Sequence, residues 1–185
     1  MEVAKLQTPT LQLILGPVFS EKTTEAIRIA KKYARYFTVL FVNPVMDIRS
    51  SNGTVEARSG MKWTCTSVTH LKELEANPEF HIAKLIVVDE SAFYPDLFEH
   101  VSKWCDAKSY VVTGLDGDWK QEKIGQIWDL IPIADKVEKV LALCEICGDG
   151  TSAVCSKATR PLDSQVSVVD QESKLFIPVC RKHRN

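Results

Sequence analysis

Leu11-Gln12-Leu13-Ile14-Leu15-Gly16-Pro17-Val18-Phe19-Ser20-Glu21-Lys22-Thr23 is an apolar run that breaks at a glycine and ends on Lys-Thr. Ala26, Ile29, Ala30 and Tyr33 then recur at helical spacing among charges, which predicts a helix from Thr23 to Arg35. Strand, glycine loop and helix are the setting of a phosphate-binding loop. Residues 16–23 match its pattern, G-x-x-x-x-G-K-[ST], except that Glu21 stands at the second glycine. Backbone N–H groups of such a loop wrap phosphates, and the helix dipole adds positive potential. Lys22 is placed to neutralise the outer phosphates and Thr23 to offer its hydroxyl to Mg²⁺.

Glu21 sets the main question. A carboxylate facing the phosphates would repel them by about 4 kcal/mol per unit charge at 4 Å in an effective dielectric of 20. That is roughly a thousandfold in affinity or rate. It also adds a Cβ where backbone must approach phosphate closely. The side chain could instead swing to solvent, or pair with Arg49 and occupy the anion site itself.

The rest of the chain repeats the alternation. Thr38–Val42, Lys84–Val88 and Ser109–Thr113 read as buried strands, and Lys136–Leu143 as a last strand leading into Cys144. Leu71–Ala76 and Asp96–Trp104 read as helices, and residues 44–64 as a polar, mobile excursion. Continuous apolar strands alternating with helices predict an α/β fold with a mostly parallel sheet covered on both faces. Three regions are expected: an arm over 1–10, a nucleotide-binding domain over 11–143 and a small module over 144–185. In the last, Val166–Val169 and Leu175–Val179 are candidates to pair as a hairpin.

Two clusters carry chemistry beyond the loop. Asp89-Glu90 follows the strand 84–88, and an acid there points to the carboxyl edge of a parallel sheet, where ligands bind. Asp89 is the candidate to hold Mg²⁺ and Glu90 the candidate general base. Cys144-x-x-Cys147 and Cys180-x-x-His183 form two knuckles of the spacing that tetrahedral zinc takes as Cys₃His. A module so short and polar would draw much of its folding energy from the metal. Cys65, Cys105 and Cys155 read as ordinary thiols.

The formal net charge of −1 gives no global basic field, which argues against nucleic acid as a partner. No apolar run approaches the roughly 20 residues of a membrane helix, and residues 1–9 lack a signal-peptide core. Six cysteines with a ligand spacing point to reduced thiols and a cytoplasmic setting.

The phosphate loop, VVDESAFYPD at 87–96, VTGLDGDW at 112–119 and the knuckles CEIC and CRKH together resemble thymidine kinases of the zinc-containing, tetrameric class. The resemblance spans about residues 11 to 183. It implies a RecA-like phosphate-loop domain, a zinc-stapled lasso, a homotetramer, and transfer of the ATP γ-phosphate to the 5′-hydroxyl of thymidine in nucleotide salvage. By that resemblance Asp47 and Arg49 form a D-x-R element near phosphates and metal. Trp119 lies against the base, where the family usually has phenylalanine. Val168, Val169 and Asp170 lie where a lasso run clamps thymine through its backbone, both family glycines being replaced, and Phe176 or Leu175 stands for a later tyrosine. Ser91-Ala92 replaces a usual Gly-Gln.

Two other readings fit the residues. One is a catalytically impaired kinase-like module, silenced at Glu21, that serves a kinase-like partner subunit. The other is a zinc-ribbon nucleic-acid binder, suggested by the knuckles and Arg181-Lys182-His183-Arg184.

Overall fold

The computed structural model describes residues 8–47, 50–51, 53–162 and 175–185. Strand β1 (Leu11–Gly16) enters the phosphate loop, α1 (Lys22–Tyr33) leaves it, and β2 (Val39–Pro44) follows. Then come β3 (Ser50–Ser51), β4 (Thr54–Glu56), β5 (Lys62–Thr64), β6 (Thr66–Val68), a 3₁₀ segment at Leu71–Ala76 and α2 (Pro78–Ile82). Next are β7 (Leu85–Val88), a 3₁₀ turn at Ser91–Phe93, α3 (Leu97–Trp104), β8 (Ser109–Leu115), a 3₁₀ segment at Ile127–Ile133 and β9 (Lys136–Lys139). The chain ends through β10 (Ala142–Leu143), β11 (Ser152–Ala153), β12 (Cys155–Ala158), β13 (Phe176–Val179) and a 3₁₀ turn at Arg181–His183.

The central sheet runs β6-β2-β7-β8-β1-β9, and every pairing in it is parallel. Alternation along each strand sorts its side chains between two layers. Leu11, Leu13, Leu15, Ile86 and Val88 join Leu97 and Val101 of α3 in one cluster. Ile14, Leu85 and Val87 join Ala26, Ile27 and Ala30 of α1 in the other. Strands buried on both faces have no polar side to show, which is why they read as unbroken apolar runs. Truncating one fully buried side chain here, such as Ile27 or Leu13, to alanine costs about 2–5 kcal/mol.

Several sequence expectations need correction. The polar excursion over 44–64 holds strands that were not foreseen: β3, β4 and β5 form an antiparallel sheet. Its Val55 and Ala57 are buried in the α1-side layer, so apolar residues at the strand and turn anchor an otherwise polar segment. Residues 66–68, not foreseen as a strand, form β6 on the edge of the main sheet. Leu71–Ala76 is 3₁₀ rather than α, closed ahead of Pro78. The last strand divides: β9 pairs with β1, and β10 turns away to pair with β11. Among the described residues β13 pairs with β12, not foreseen as a strand, in the register Cys155↔Val179 to Ala158↔Phe176; the expected pairing with residues 166–169 falls outside the described residues.

Candidate active site and metal centre

The phosphate loop sits at the carboxyl end of β1, between β8 and β9. Gly16 must be glycine: a Cβ there would lie 2.5 Å from the Val140 carbonyl oxygen and 2.7 Å from Ser20 Oγ. Lys22 is buried, and its ammonium donates to the Pro17 carbonyl at 2.7 Å and to Ser20 Oγ at 3.2 Å. The cation thus curls back onto oxygens of its own loop.

Glu21 answers the question its sequence raised. Its backbone is left-handed, φ 62° and ψ 23°, the conformation for which glycine is favoured. Its side chain is exposed, and the carboxylate accepts the hydroxyl of Thr24. The cost of this residue is therefore backbone strain, of order 1–2 kcal/mol for a non-glycine residue. It is not a charge set against the loop interior.

Asp89 follows β7 and is buried. One carboxylate oxygen accepts Thr23 Oγ1 at 2.8 Å and the other accepts the hydroxyl of Thr113 on β8. Thus the helix-starting threonine and the sheet-end acid, 66 residues apart in sequence, meet directly. Asp47 lies close by, its carboxylate accepting Asn43 Nδ2 at 3.0 Å. Burial pushes the Cys65 thiol and the Tyr94 phenol upward in pKa, and the charges of Asp47 and Asp89 push both further. The two acids therefore share one electrostatic neighbourhood. Asn43 Oδ1 and Ser91 Oγ are buried there without hydrogen-bond partners among the described residues. Carboxylates, hydroxyls and an orphaned amide oxygen are the donor set of a hard cation, so the residues fit Mg²⁺. Arg49 lies outside the described residues.

Glu90 sits at φ 49° and ψ 48°, another non-glycine residue held left-handed. Such strain collects where the chain must aim a side chain. Glu90 lines a pocket of about 440 Å³, counting its open mouth. Phe93, Trp119 and Phe176 supply its aromatic wall; Val18, Leu115 and Ile124 its aliphatic wall; and Asp118 and Ser156 stand beside Glu90 as its polar groups. The Lys120 ammonium lies 4.9 Å from the centre of the Trp119 ring. Asp118 fixes the turn below, accepting the N–H groups of Lys120 and Glu122 at 2.8 Å each. Val168, Val169 and Asp170 fall outside the described residues.

Ser156 reaches the loop from β12: its Oγ accepts the Val18 N–H at 3.0 Å. Sequence reading missed Ser156, Asn43, Thr113, Asp118 and Ile124. Thr113 and Asn43 carried a signal, being polar residues near the carboxyl ends of apolar strands. Ser156 carried none, because the β12 register could not be read from its residues.

The four knuckle residues come together as expected. The Cys144, Cys147 and Cys180 sulfurs and a His183 nitrogen all lie within 4.8 Å of one another. Cys147 Sγ and Cys180 Sγ are 3.8 Å apart, and His183 Nδ1 is 3.4–3.6 Å from the three sulfurs. A zinc tetrahedron with bonds of about 2.3 Å to sulfur has edges of about 3.8 Å, so the donor set fits. Cys65, Cys105 and Cys155 are free and not among these ligands.

The thymidine kinase family model matches residues 9–184 of the chain. The chain belongs to the thymidine kinase family. It is 31% identical over 182 residues to "Thymidine kinase a" of Arabidopsis thaliana, covering 94% of this chain and 74% of that one. It is 33% identical over 177 residues to the thymidine kinase of Yaba monkey tumor virus (strain VR587), covering 92% of each. It is 30% identical over 185 residues to that of Mycoplasmoides gallisepticum, covering 94% of this chain and 80% of the relative. Family membership agrees with the phosphate loop, the Thr23–Asp89 contact and the Cys₃His cluster. It leaves no ground for reading the knuckles as a nucleic-acid ribbon. No helix among the described residues is long and apolar enough to cross a membrane.

Proposed function

We propose that the protein is an ATP-dependent thymidine kinase. The observation that carries this reading is a juxtaposition. A phosphate loop with its lysine and threonine, a buried acid bonded to that threonine, and an exposed-mouth pocket lined by Glu90 meet at one sheet edge.

In this reading thymidine fills the pocket, its base against Trp119, Phe93 and Phe176 and its 5′-hydroxyl toward Glu90. Val168, Val169 and Asp170, outside the described residues, are assigned to the base by the family resemblance alone. Lys22 exchanges its loop oxygens for phosphate oxygens. Thr23, Asp89 and Asp47 would hold the magnesium nucleotide, and Arg49, outside the described residues, is assigned to it by the family resemblance alone. Magnesium, when bound, screens charge building on the phosphates. Glu90 takes the proton of the 5′-hydroxyl as its oxygen bonds to the γ-phosphorus. The bond from that phosphorus to the β–γ bridging oxygen breaks, and ADP and thymidine monophosphate result. Little covalent chemistry is asked of the protein, which supplies position and charge. The zinc at Cys144, Cys147, Cys180 and His183 is structural.

The silent-module alternative loses its premise. It needs the Glu21 carboxylate at the phosphates, whereas that carboxylate is exposed and bonded to Thr24. A homotetramer and a cytoplasmic role in nucleotide salvage complete the proposal. Light scattering on zinc-loaded protein tests the first. A coupled assay for ADP release with ATP, Mg²⁺ and thymidine tests the reaction: thymidine-dependent turnover supports it, and none from folded, zinc-loaded protein overturns it.

A further inference from the structure

The hairpin of β4 and β5 is footed in the core and seated on the phosphate loop. Val55 and Ala57 are buried beneath it. Its tip is closed by the Ala57 N–H donating to Met61 at 2.8 Å and the Gly60 N–H to Ala57 at 2.8 Å. From that tip Ser59 Oγ lies 2.9 Å from Thr24 Oγ1, and Thr24 Oγ1 bonds the Glu21 carboxylate. A carboxylate only accepts, so Thr24 spends its single proton on Glu21 and takes the proton of Ser59. The chain has one sense, Ser59 to Thr24 to Glu21. Next in sequence to Ser59, the Arg58 guanidinium lies 4.0 Å over the centre of the Phe19 ring. Phe19 and Glu21, at φ 62° each, are the two left-handed residues that turn the phosphate loop. Each of them is therefore held from outside by the same hairpin tip.

We propose that Glu21, Thr24 and Ser59 form a latch that docks this hairpin on the phosphate loop, and that Arg58 at its tip is a further anion-binding residue for the polyphosphate of the nucleoside triphosphate. Glu21 then acts as a positioning residue, and its place in the loop has a use. Stacking engages the face of a guanidinium and hydrogen bonding its edge, so an arginine can stack on Phe19 and serve an anion at once. The inference rests on the ATP reading above.

The test is calorimetric titration of Mg²⁺–ATP into zinc-loaded wild type, Arg58→Ala, Arg58→Lys, Thr24→Val and Glu21→Gln, with amide exchange measured over residues 53–64. Arg58→Ala is expected to raise the Kd for ATP about tenfold while leaving the KM for thymidine in place, with partial rescue in Arg58→Lys. Thr24→Val should raise the ATP Kd about threefold and speed exchange at the hairpin tip, whereas Glu21→Gln, which keeps an acceptor oxygen, should stay near wild type. Unchanged ATP affinity in Arg58→Ala overturns its anion role. Unchanged hairpin exchange in Thr24→Val overturns the latch. Absence of ATP binding by wild type overturns the ATP reading and the Arg58 role together, and the exchange measurement still decides the latch.

Discussion

Ser156 Oγ accepts the backbone N–H of Val18 at 3.0 Å, so the segment that carries the metal cluster also holds the phosphate loop. Ser156 is buried, as is the Cys144–Cys180 cluster behind it. Lys139 braces the same junction, pairing with Asp116 at 2.6 Å and donating to the Val154 carbonyl at 3.2 Å. Ser156→Ala leaves the Val18 N–H without its acceptor, at a cost of about 1–3 kcal/mol. We expect a matching fall in stability by urea titration and a higher KM for thymidine, since both residues line the pocket.

Zinc removal should act on the same junction. Among the described residues, the small sheets β10–β11 and β12–β13 share a core of five buried residues: Ala142, Cys144, Ala153, Val179 and Cys180. So little apolar surface needs the metal to hold it. Chelation should melt residues 142–162 and 175–185 while most of the parallel sheet persists, seen as loss of amide protection confined to those segments. Uniform protection after zinc release would contradict this.

Glu21→Gly should not restore a crippled loop. The carboxylate is turned outward, so the roughly thousandfold gain in ATP affinity expected on removing a charge from the site should be missing. A change within about tenfold is expected instead. Relief of the left-handed backbone contributes about 1 kcal/mol of stability, offset in part by loss of the exposed bond to Thr24. Parallel titrations and melts of the two proteins measure both.

A pH dependence follows from His100, buried on α3, with its Nε2 3.2 Å from the Tyr110 hydroxyl. Burial lowers its pKa from 6.5 to about 4, against the pull of Asp96 and Glu75. A folded value below the unfolded one means the unfolded chain binds the proton first. Stability from the neutral ring is therefore present above about pH 6.5 and drains away as pH falls toward 4. The loss amounts to about 3 kcal/mol. Urea titrations at pH 7, 5.5 and 4.5 should show it in wild type, with a shallower slope in His100→Gln.

What the sequence disclosed was whatever depends on local pattern. Apolar runs such as Leu85–Val88 could only be strands buried on both faces, and ligand spacing alone assembled Cys144, Cys147, Cys180 and His183. The rest depended on long-range register. The stretch around β3–β5 looked polar because Val55 and Ala57, with Met61 and Trp63 packed beside them, are enough to anchor it. The pairing of β12 with β13 was not foreseen because strand pairing is chosen by tertiary fit, and Cys155–Ala158 gave no alternation to suggest it. Glu21 was readable as a departure, but its orientation follows from a backbone angle that residue identity does not reveal.

The central claim is that this loop, with its acid facing outward, still delivers a phosphoryl group to a hydroxyl held at Glu90. The most direct measurement is formation of thymidine monophosphate, followed by mass spectrometry, from zinc-loaded wild type and Glu90→Gln given thymidine, ATP and Mg²⁺. Wild type should make product and the variant should make it at a rate about 10²–10⁴ lower, with ATP affinity retained. Folded wild type that binds ATP yet makes no product, or equal rates in both proteins, would contradict it.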